Sequence, residues 1–415
     1  MDFSTPRPKR SLFSSFLAAI LTTVTANASP QESSLELIAH SPDRVTASIA
    51  RYHSGDTDTL KLVNLIIKTV DETIIDTPVP SVLNKPITPP SGDMHDYMSM
   101  SPYWWPNPDT EDGLPYIRID GKVNPLRYKG DNVAMDKMVE GSWHCALAYA
   151  YTGEERYAAK AAAFLRTWFL DPKTKMNPNL TYSQWRLGWT ELRASALLDT
   201  QRLLRMIDAS PLILASDSWT EEDHANLKSW FGQYTTWYHT SEQGIEQSQA
   251  YNNHGSYYDT QLIFFSAFSD RTDLAIATLE NYNQGRIAPQ LDEQGGQPHE
   301  LKRTRPFHYC NFNANAWVLA AQIGDNLGID VWDAQSEKNL GLTLKWLEPY
   351  ATQQKEWIKP TPIKDRDYLV YRYLITQAAD HYPYLDKAAI LTQLPDFDYS
   401  TDAQLRYIIE CELAR

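Results

Sequence analysis

Three short stretches of this chain gather side chains able to hold an anion and move a proton. The first is Tyr251-Asn252-Asn253-His254-Gly255-Ser256-Tyr257-Tyr258. It opens a stretch of helical periodicity, so Asn253 and His254 would present an amide and an imidazole at a helix N-terminus, where the dipole favours an anion. An asparagine cap beside a hydrogen-bonded histidine would look the same. The second runs His299-Glu300-Leu301-Lys302-Arg303-Thr304-Arg305-Pro306-Phe307-His308-Tyr309. Its basic residues could neutralise a carboxylate, and Tyr309 could set a phenol beside it. A solvated basic loop is the plainer alternative. His299 and Glu300 match the start of a zinc-protease HExxH pattern, but Arg303 stands where the second histidine must be, so no zinc site is read there. The third, Asn177-Pro178-Asn179-Leu180-Thr181-Tyr182-Ser183-Gln184-Trp185, is a polar and aromatic loop ahead of a helix. Asn179-Leu180-Thr181 is also a glycosylation sequon.

The elements that must carry these residues are helices. Met135, Met138, Val139, Trp143, Ala146, Leu147 and Ala150 follow the i, i+3, i+4, i+7 rule, and Gly153 stands where a C-cap glycine belongs. Tyr157, Ala161, Phe164, Leu165 and Trp168 continue on a second helix, stopped at Asp171-Pro172. Thr220 with Asp223 resembles a capping box ahead of the stripe Leu227, Trp230, Phe231, Tyr234 and Trp237. Further helices are predicted near 191–207, 253–268, 271–283, 313–327, 333–349, 366–380 and 402–412. Strand-like alternation is almost absent. So many helix pairs suggest an all-α toroid or solenoid rather than a four-helix bundle. Residues 76–127 differ, being rich in proline and aromatics, as in Ser101-Pro102-Tyr103-Trp104-Trp105-Pro106. Their ring density argues against disorder, so they read as an ordered loop across one mouth of the toroid.

Composition narrows the partners. The 415 residues carry a formal charge of −14, which argues against nucleic acid, whose phosphates want a basic face. Arg7, Lys9 and Arg10, then the apolar stretch from Leu12 to Ala26, then Ala26-Asn27-Ala28 read as a secretory signal peptide. Losing residues 1–28, with three bases and one acid, would leave −16, and residues 29–415 would be one secreted or periplasmic domain. No other segment has the roughly 20 apolar residues that span a membrane. The three cysteines, Cys145, Cys310 and Cys411, suggest no disulfide framework. Most of the 13 Trp and 24 Tyr are expected in the core, with a few lining a cleft where rings could stack on sugars.

Taken together, residues 101–125, 176–184, 252–259 and 300–309 resemble the alginate lyase superfamily of helical-toroid polysaccharide lyases, near polysaccharide lyase families five and thirty-eight. The likeness spans roughly residues 90–380. The six-residue step from Arg303 to Tyr309 leans toward family thirty-eight. The resemblance implies an (α/α) toroid, an incomplete barrel with one catalytic domain. It implies an active site of Asn253, His254, Arg303 and Tyr309. Tyr103, Trp104, Trp105, Asn179, Tyr182 and Gln184 are implied along the sugar cleft, and the basic stretch adds Lys302 and Arg305.

The chemistry explains the set. β-Elimination takes the C5 proton beside a uronate carboxylate and expels O4. Neutralising the carboxylate stabilises the enolate-like intermediate, a task for Asn253 and Arg303 with His254 assisting. Tyr309 would serve as base and acid when both positions share a face, with its pKa lowered by Arg303 and Arg305. On guluronate, with the proton on the opposite face, His254 would be the base and Tyr309 the acid. The scheme calls for no metal and no cofactor. The expected substrate is alginate, mannuronate-containing, or a glucuronan. The rivals are an inverting hydrolase built on acids such as Glu191, Asp259 and Glu300, and a polyuronate-binding protein without catalysis.

Overall fold

A helix that is apolar on every side must be buried on every side, and two helices here meet that condition. In the computed structural model, which describes residues 35–401 and 404–414, helix Asn253–Phe268 buries thirteen of its sixteen residues. Helix Asn132–Thr152 buries thirteen of twenty-one. They are inner staves of a ring. Between them stands the 3-10 segment Ala194–Arg202 running into helix Leu203–Ala209. Beyond Asn253–Phe268 follow Pro306–Leu327, Asp365–Ala378, Leu405–Glu412 and Thr57–Thr73, each against the next, and the last returns to Asn132–Thr152. Helices Glu155–Leu165, Glu221–Thr240, Thr272–Glu280 and Leu340–Ala351 form a second layer against these staves. The fold is the all-α toroid that the periodicity and the resemblance predicted, in a single unit from Glu36 onward. The expected signal peptide, residues 1–28, lies outside the described residues.

Local signals place the helix ends. Gly153 is left-handed, with φ +70°, and closes Asn132–Thr152. Thr220 and Asp223 form the capping box of Glu221–Thr240. Helix Pro306–Leu327 begins seven residues earlier than the periodicity suggested, because Pro306 takes the first turn, where its missing N–H costs nothing. Tyr309 therefore sits on a helix rather than in a basic loop. Helices Pro42–Ser54, Thr57–Thr73, Glu242–Ser248 and Lys387–Gln393 are additions to the sequence reading.

A buried polar layer fixes the two staves that carry the candidate residues. Ser256 Oγ accepts from Trp317 Nε1 and Gln290 Nε2, both at 2.9 Å. Asn313 Nδ2 donates to Gln290 and Gln297, each at 2.9 Å. A slip of one helix past the other would break several of these buried bonds at once.

The proline-rich segment is ordered. Lys85 Nζ reaches Asp131 at 3.1 Å with both side chains fully buried, and donates to the carbonyls of Val82 and Met94. Asp131 also accepts from the backbone N–H of Met98 at 2.8 Å. The segment is thus tied to the start of helix Asn132–Thr152. It contains short strands: Met98–Met100 pairs in parallel with Tyr182–Trp185, and Trp104–Trp105 pairs antiparallel with Ile117–Arg118. Among the described residues no helix is long and apolar enough to cross a membrane. The three cysteines are free. Burial pushes the Cys145 and Cys411 thiols up to about 12 and Cys310 well above its usual value.

One buried charge cluster closes the ring's ends. His40 lies between Asp208 and Glu410, with Nε2 3.0 Å from the Glu410 carboxylate. Burial alone would lower its pKa, but Glu410 and then Asp208 raise it to about 10. A raised folded-state pKa stabilises fully below about 6.5 and loses that contribution as pH climbs through about 10. His40→Ala leaves two carboxylates buried without their cation and is expected to cost about 3–5 kcal/mol in urea unfolding at pH 7. A loss under about 1 kcal/mol would show that the cluster does not depend on the imidazole charge.

Candidate active site

The first candidate stretch splits its work between two asparagines. Asn252 is the N-cap of helix Asn253–Phe268, and its Oδ1 accepts from the His254 N–H at 3.0 Å. Asn253 is thereby freed from capping. Its backbone N–H donates to Glu300 Oε1 at 2.7 Å, and its Nδ2 reaches both Glu300 oxygens at 2.9 Å. Both residues are 1% exposed. Burial raises the Glu300 pKa, against the pull of the Asn253 bonds and Arg303. Glu300 is the positioning residue that the sequence left among hydrolase candidates. With Glu300 ionised, Asn253 Nδ2 is committed and Oδ1 has no partner, which departs from the expectation of an amide free to donate to a carboxylate. Protonated Glu300 could donate to Oδ1 after the amide turns over, leaving Nδ2 toward the cleft. Glu300→Ala is expected to lower kcat about 10-fold or more with KM changed less than threefold, because Asn253 loses three bonds but the cations remain. Unchanged kcat would remove Glu300 from the site's support.

The second stretch brings Arg303 onto Tyr309. Arg303 Nη2 donates to the phenol oxygen at 2.8 Å, and the guanidinium lies 3.8 Å from the ring centroid. The Tyr103 and Tyr309 hydroxyls are 3.4 Å apart. Arg303 also stands 3.5 Å from Asp120, which Arg118 holds at 2.7 Å. Burial raises the Tyr309 pKa, and the Tyr103 hydrogen bond adds to it, while Arg303 opposes. The phenol is therefore held protonated at neutral pH, contrary to the expected lowering. Arg305 cannot help, since it bonds to buried Asp367 at 3.3 Å together with His308. Burial, then Arg303, Arg193 and Arg118, lower the His254 pKa to about 4, and its Nδ1 has no partner. The imidazole is neutral at neutral pH.

These groups line one cleft of about 170 Å³ with Tyr103, Trp104, Arg118, Gln184 and Arg193. Gln184 holds a left-handed backbone, φ +48°, at an irregular register of its strand, while Nε2 bonds to Asp199 at 2.9 Å. Arg193 and Arg118 were missed, because nothing in the sequence separates them from other surface arginines. Arg193 donates to Ser101 and Ser195 at 2.7 Å, and burial lowers its pKa to about 10. Alternation along the strand turns Trp104 to the cleft and Trp105 away, where it bonds to the Lys122 carbonyl. Asn179 approaches Asp96, Tyr182 packs edge-on to Trp185, and Lys302 is exposed, so none of these three, nor Arg305, lines the cleft. Among the described residues no carboxylate lines it either. Asp259 is held by Arg286 at 2.6 Å and Glu191 is exposed, so these candidate acids form no pair across the cleft of the kind an inverting hydrolase uses. No group of three or more His, Cys, Asp or Glu among the described residues could hold a metal ion.

A toroid whose cleft sets arginines beside a phenol is suited to an anionic ligand, and comparison with known proteins identifies the class. The alginate lyase family matches residues 81–357. An alginate lyase from Bacteroides ovatus is 33% identical, covers 90% of this chain and 99% of its own, and superposes with a TM-score of 0.85. Alginate lyase A1-III from Sphingomonas species A1 is 16% identical over 91% and 99% of the two chains, with a TM-score of 0.55. A histidine-to-alanine variant of that lyase, complexed with tetrasaccharide, is 16% identical over 90% and 96%, with a TM-score of 0.56. No curated protein sequence gives a significant match. The chain belongs to the alginate lyase family and is a polysaccharide lyase.

Proposed function

We propose that this lyase cleaves alginate, mannuronate-containing stretches included, by β-elimination at the cleft formed by Asn253, His254, Arg303 and Tyr309. The observation that carries this reading is the Arg303–Tyr309 pair, a guanidinium 2.8 Å from a phenol in a cleft without carboxylates. Arg303 receives the uronate carboxylate and spreads the charge that builds as C5 loses its proton. Tyr309, protonated at rest, delivers a proton to O4 as the C4–O bond breaks and the C4=C5 bond forms. Neutral His254 takes the C5 proton where it lies opposite O4, as in guluronate, and imidazolium and phenolate then exchange a proton to reset the site. Where proton and leaving group share a face, as in mannuronate, Tyr309 first loses its phenol proton to solvent, and the phenolate, stabilised by the Arg303 hydrogen bond, takes the C5 proton and passes it to O4, which regenerates the phenolate. Protein cations do the neutralising, so the scheme routes no step through a metal. The chain acts outside the cytoplasm after cleavage behind Ala28, which N-terminal sequencing of the exported protein would test.

The purified chain is to be incubated with polymannuronate, polyguluronate and glucuronan while ultraviolet absorbance is followed. Rising absorbance on either alginate block supports the reading. A rise on glucuronan alone would move the substrate, and new reducing ends without absorbance would overturn elimination. The acid limb of kcat/KM follows from His254. Because its pKa is depressed, the base form persists down to about pH 4. A limb near pH 6.5 would show an imidazole open to solvent.

A further inference from the structure

We propose that Asp120 is a built-in competitor of the substrate, a carboxylate that engages Arg303 until a uronate displaces it and that reclaims Arg303 as the product leaves. This rests on the reading of Arg303 as the group that receives the substrate carboxylate. Asp120 Oδ1 stands 3.5 Å from Arg303 Nη2 and 2.7 Å from Arg118 Nη2. Among the described residues it is the acid that pairs with arginines of the cleft. Arg303 Nη2 also donates to the Tyr309 hydroxyl at 2.8 Å. One nitrogen thus serves both the reacting phenol and the acid at the cleft's edge.

The chain fixes where this acid stands. The Ile119 N–H donates to the Tyr103 carbonyl at 2.8 Å, and the Lys122 N–H closes the turn on the Ile119 carbonyl at 3.2 Å. Trp105 Nε1 holds the Lys122 carbonyl at 2.8 Å. Gly121 has φ +75°, and a Cβ there would lie 3.0 Å from Oγ1 of Thr304, the residue after Arg303. A left-handed residue without a side chain therefore seats the turn against the Arg303–Thr304 corner. Asp120 is 31% and Arg303 20% exposed, so salt screens their attraction less than that of a fully solvated pair. At 3.5 Å the contact is weaker than the 2.7 Å hold of Arg118. An incoming uronate can meet the guanidinium fork with both carboxylate oxygens at full contact. It therefore wins Arg303, less the attraction it replaces, and Asp120 stays with Arg118. After elimination the product still carries its carboxylate, and Asp120 contests the same nitrogen. The arrangement lowers affinity and hastens release.

The test is Asp120→Asn, which removes the charge and keeps the shape. Glu111→Gln, at an exposed acid of the same loop, controls for net charge. On polymannuronate, Asp120→Asn is expected to lower KM about fivefold, the upper end for a partly exposed ion pair, without raising kcat. Inhibition by the unsaturated product should tighten by a similar factor, and Glu111→Gln should move each value less than twofold. Structural damage would raise KM, so a fall cannot come from it. Asp120→Ser repeats the measurement should asparagine disturb the turn. Calorimetric binding of a saturated mannuronate tetramer to Tyr309→Phe, with and without Asp120→Asn, reads the same competition without turnover. Affinity unchanged or weakened in both Asp120 variants overturns the competitor, as does an equal gain in Glu111→Gln. If the wild-type chain makes no unsaturated product but Asp120→Asn still tightens the tetramer about fivefold, the lyase reading fails and the competitor stands. A tetramer that binds none of these proteins sinks both.

Discussion

Replacing Tyr309 with phenylalanine is expected to lower kcat on polymannuronate about 1,000-fold while KM moves less than about threefold. The change removes one oxygen. That oxygen accepts from Arg303 at 2.8 Å and lies 3.4 Å from the Tyr103 hydroxyl, while the ring itself stays under the Arg303 guanidinium. Packing and cation contact therefore survive, and what is lost is the oxygen that takes the C5 proton and delivers it to O4. Arg303 is even freer to hold the carboxylate, so ground-state binding is preserved. Steady-state kinetics by absorbance, with the melting temperature as a control, gives the answer. Full activity in the variant would exclude Tyr309 as acid or base and direct attention to His254 for both.

Arg303→Met is the second large effect, with kcat/KM expected to fall about 1,000-fold. Here the loss is electrostatic. Methionine keeps the stem but removes the charge that faces Tyr309, Asp120 and the carboxylate. Asp120 would then stand beside the cleft with Arg118, at 2.7 Å, as its remaining cation partner among the described residues, adding repulsion to the missing attraction. Arg303→Lys restores a point charge without the fork that meets phenol and carboxylate together, so it should recover no more than about a tenth of the wild-type rate. Recovery to wild-type rate in Lys would show that charge alone matters and that the 2.8 Å contact is incidental.

The helices were legible because most obey a period of 3.6 and end on recognisable signals, Gly153 and the Thr220–Asp223 box among them, while the choice of a toroid over a solenoid rested on the family resemblance. Helix Asn253–Phe268 was read with its observed bounds. What the period missed were helices Pro42–Ser54, Thr57–Thr73, Glu242–Ser248 and Lys387–Gln393 and the start of Pro306–Leu327, where His308, Tyr309 and Asn311 interrupt the apolar pattern. The paired strands escaped because strands of two to four residues carry too little alternation to detect. Asn253, His254, Arg303, Tyr309, Tyr103, Trp104 and Gln184, named from the family resemblance, line one cleft. Lys302 and Arg305 do not, since charge in a short run says nothing about which side chains find a partner such as Asp367 first. Glu300 was visible as an acid but not as the support of Asn253, a relation set by a contact 47 residues apart in the chain.

The three free thiols bear on how the molecule can be handled. Thiolate is the reactive form, and burial holds Cys145 and Cys411 near 12 and Cys310 higher still. The native protein should thus be nearly silent to maleimides at neutral pH, and its fold asks for no oxidant during production. A single new cysteine at Tyr128, 62% exposed beside the aromatic loop, would react first and almost alone. A fluorophore could be attached there without prior removal of the native cysteines.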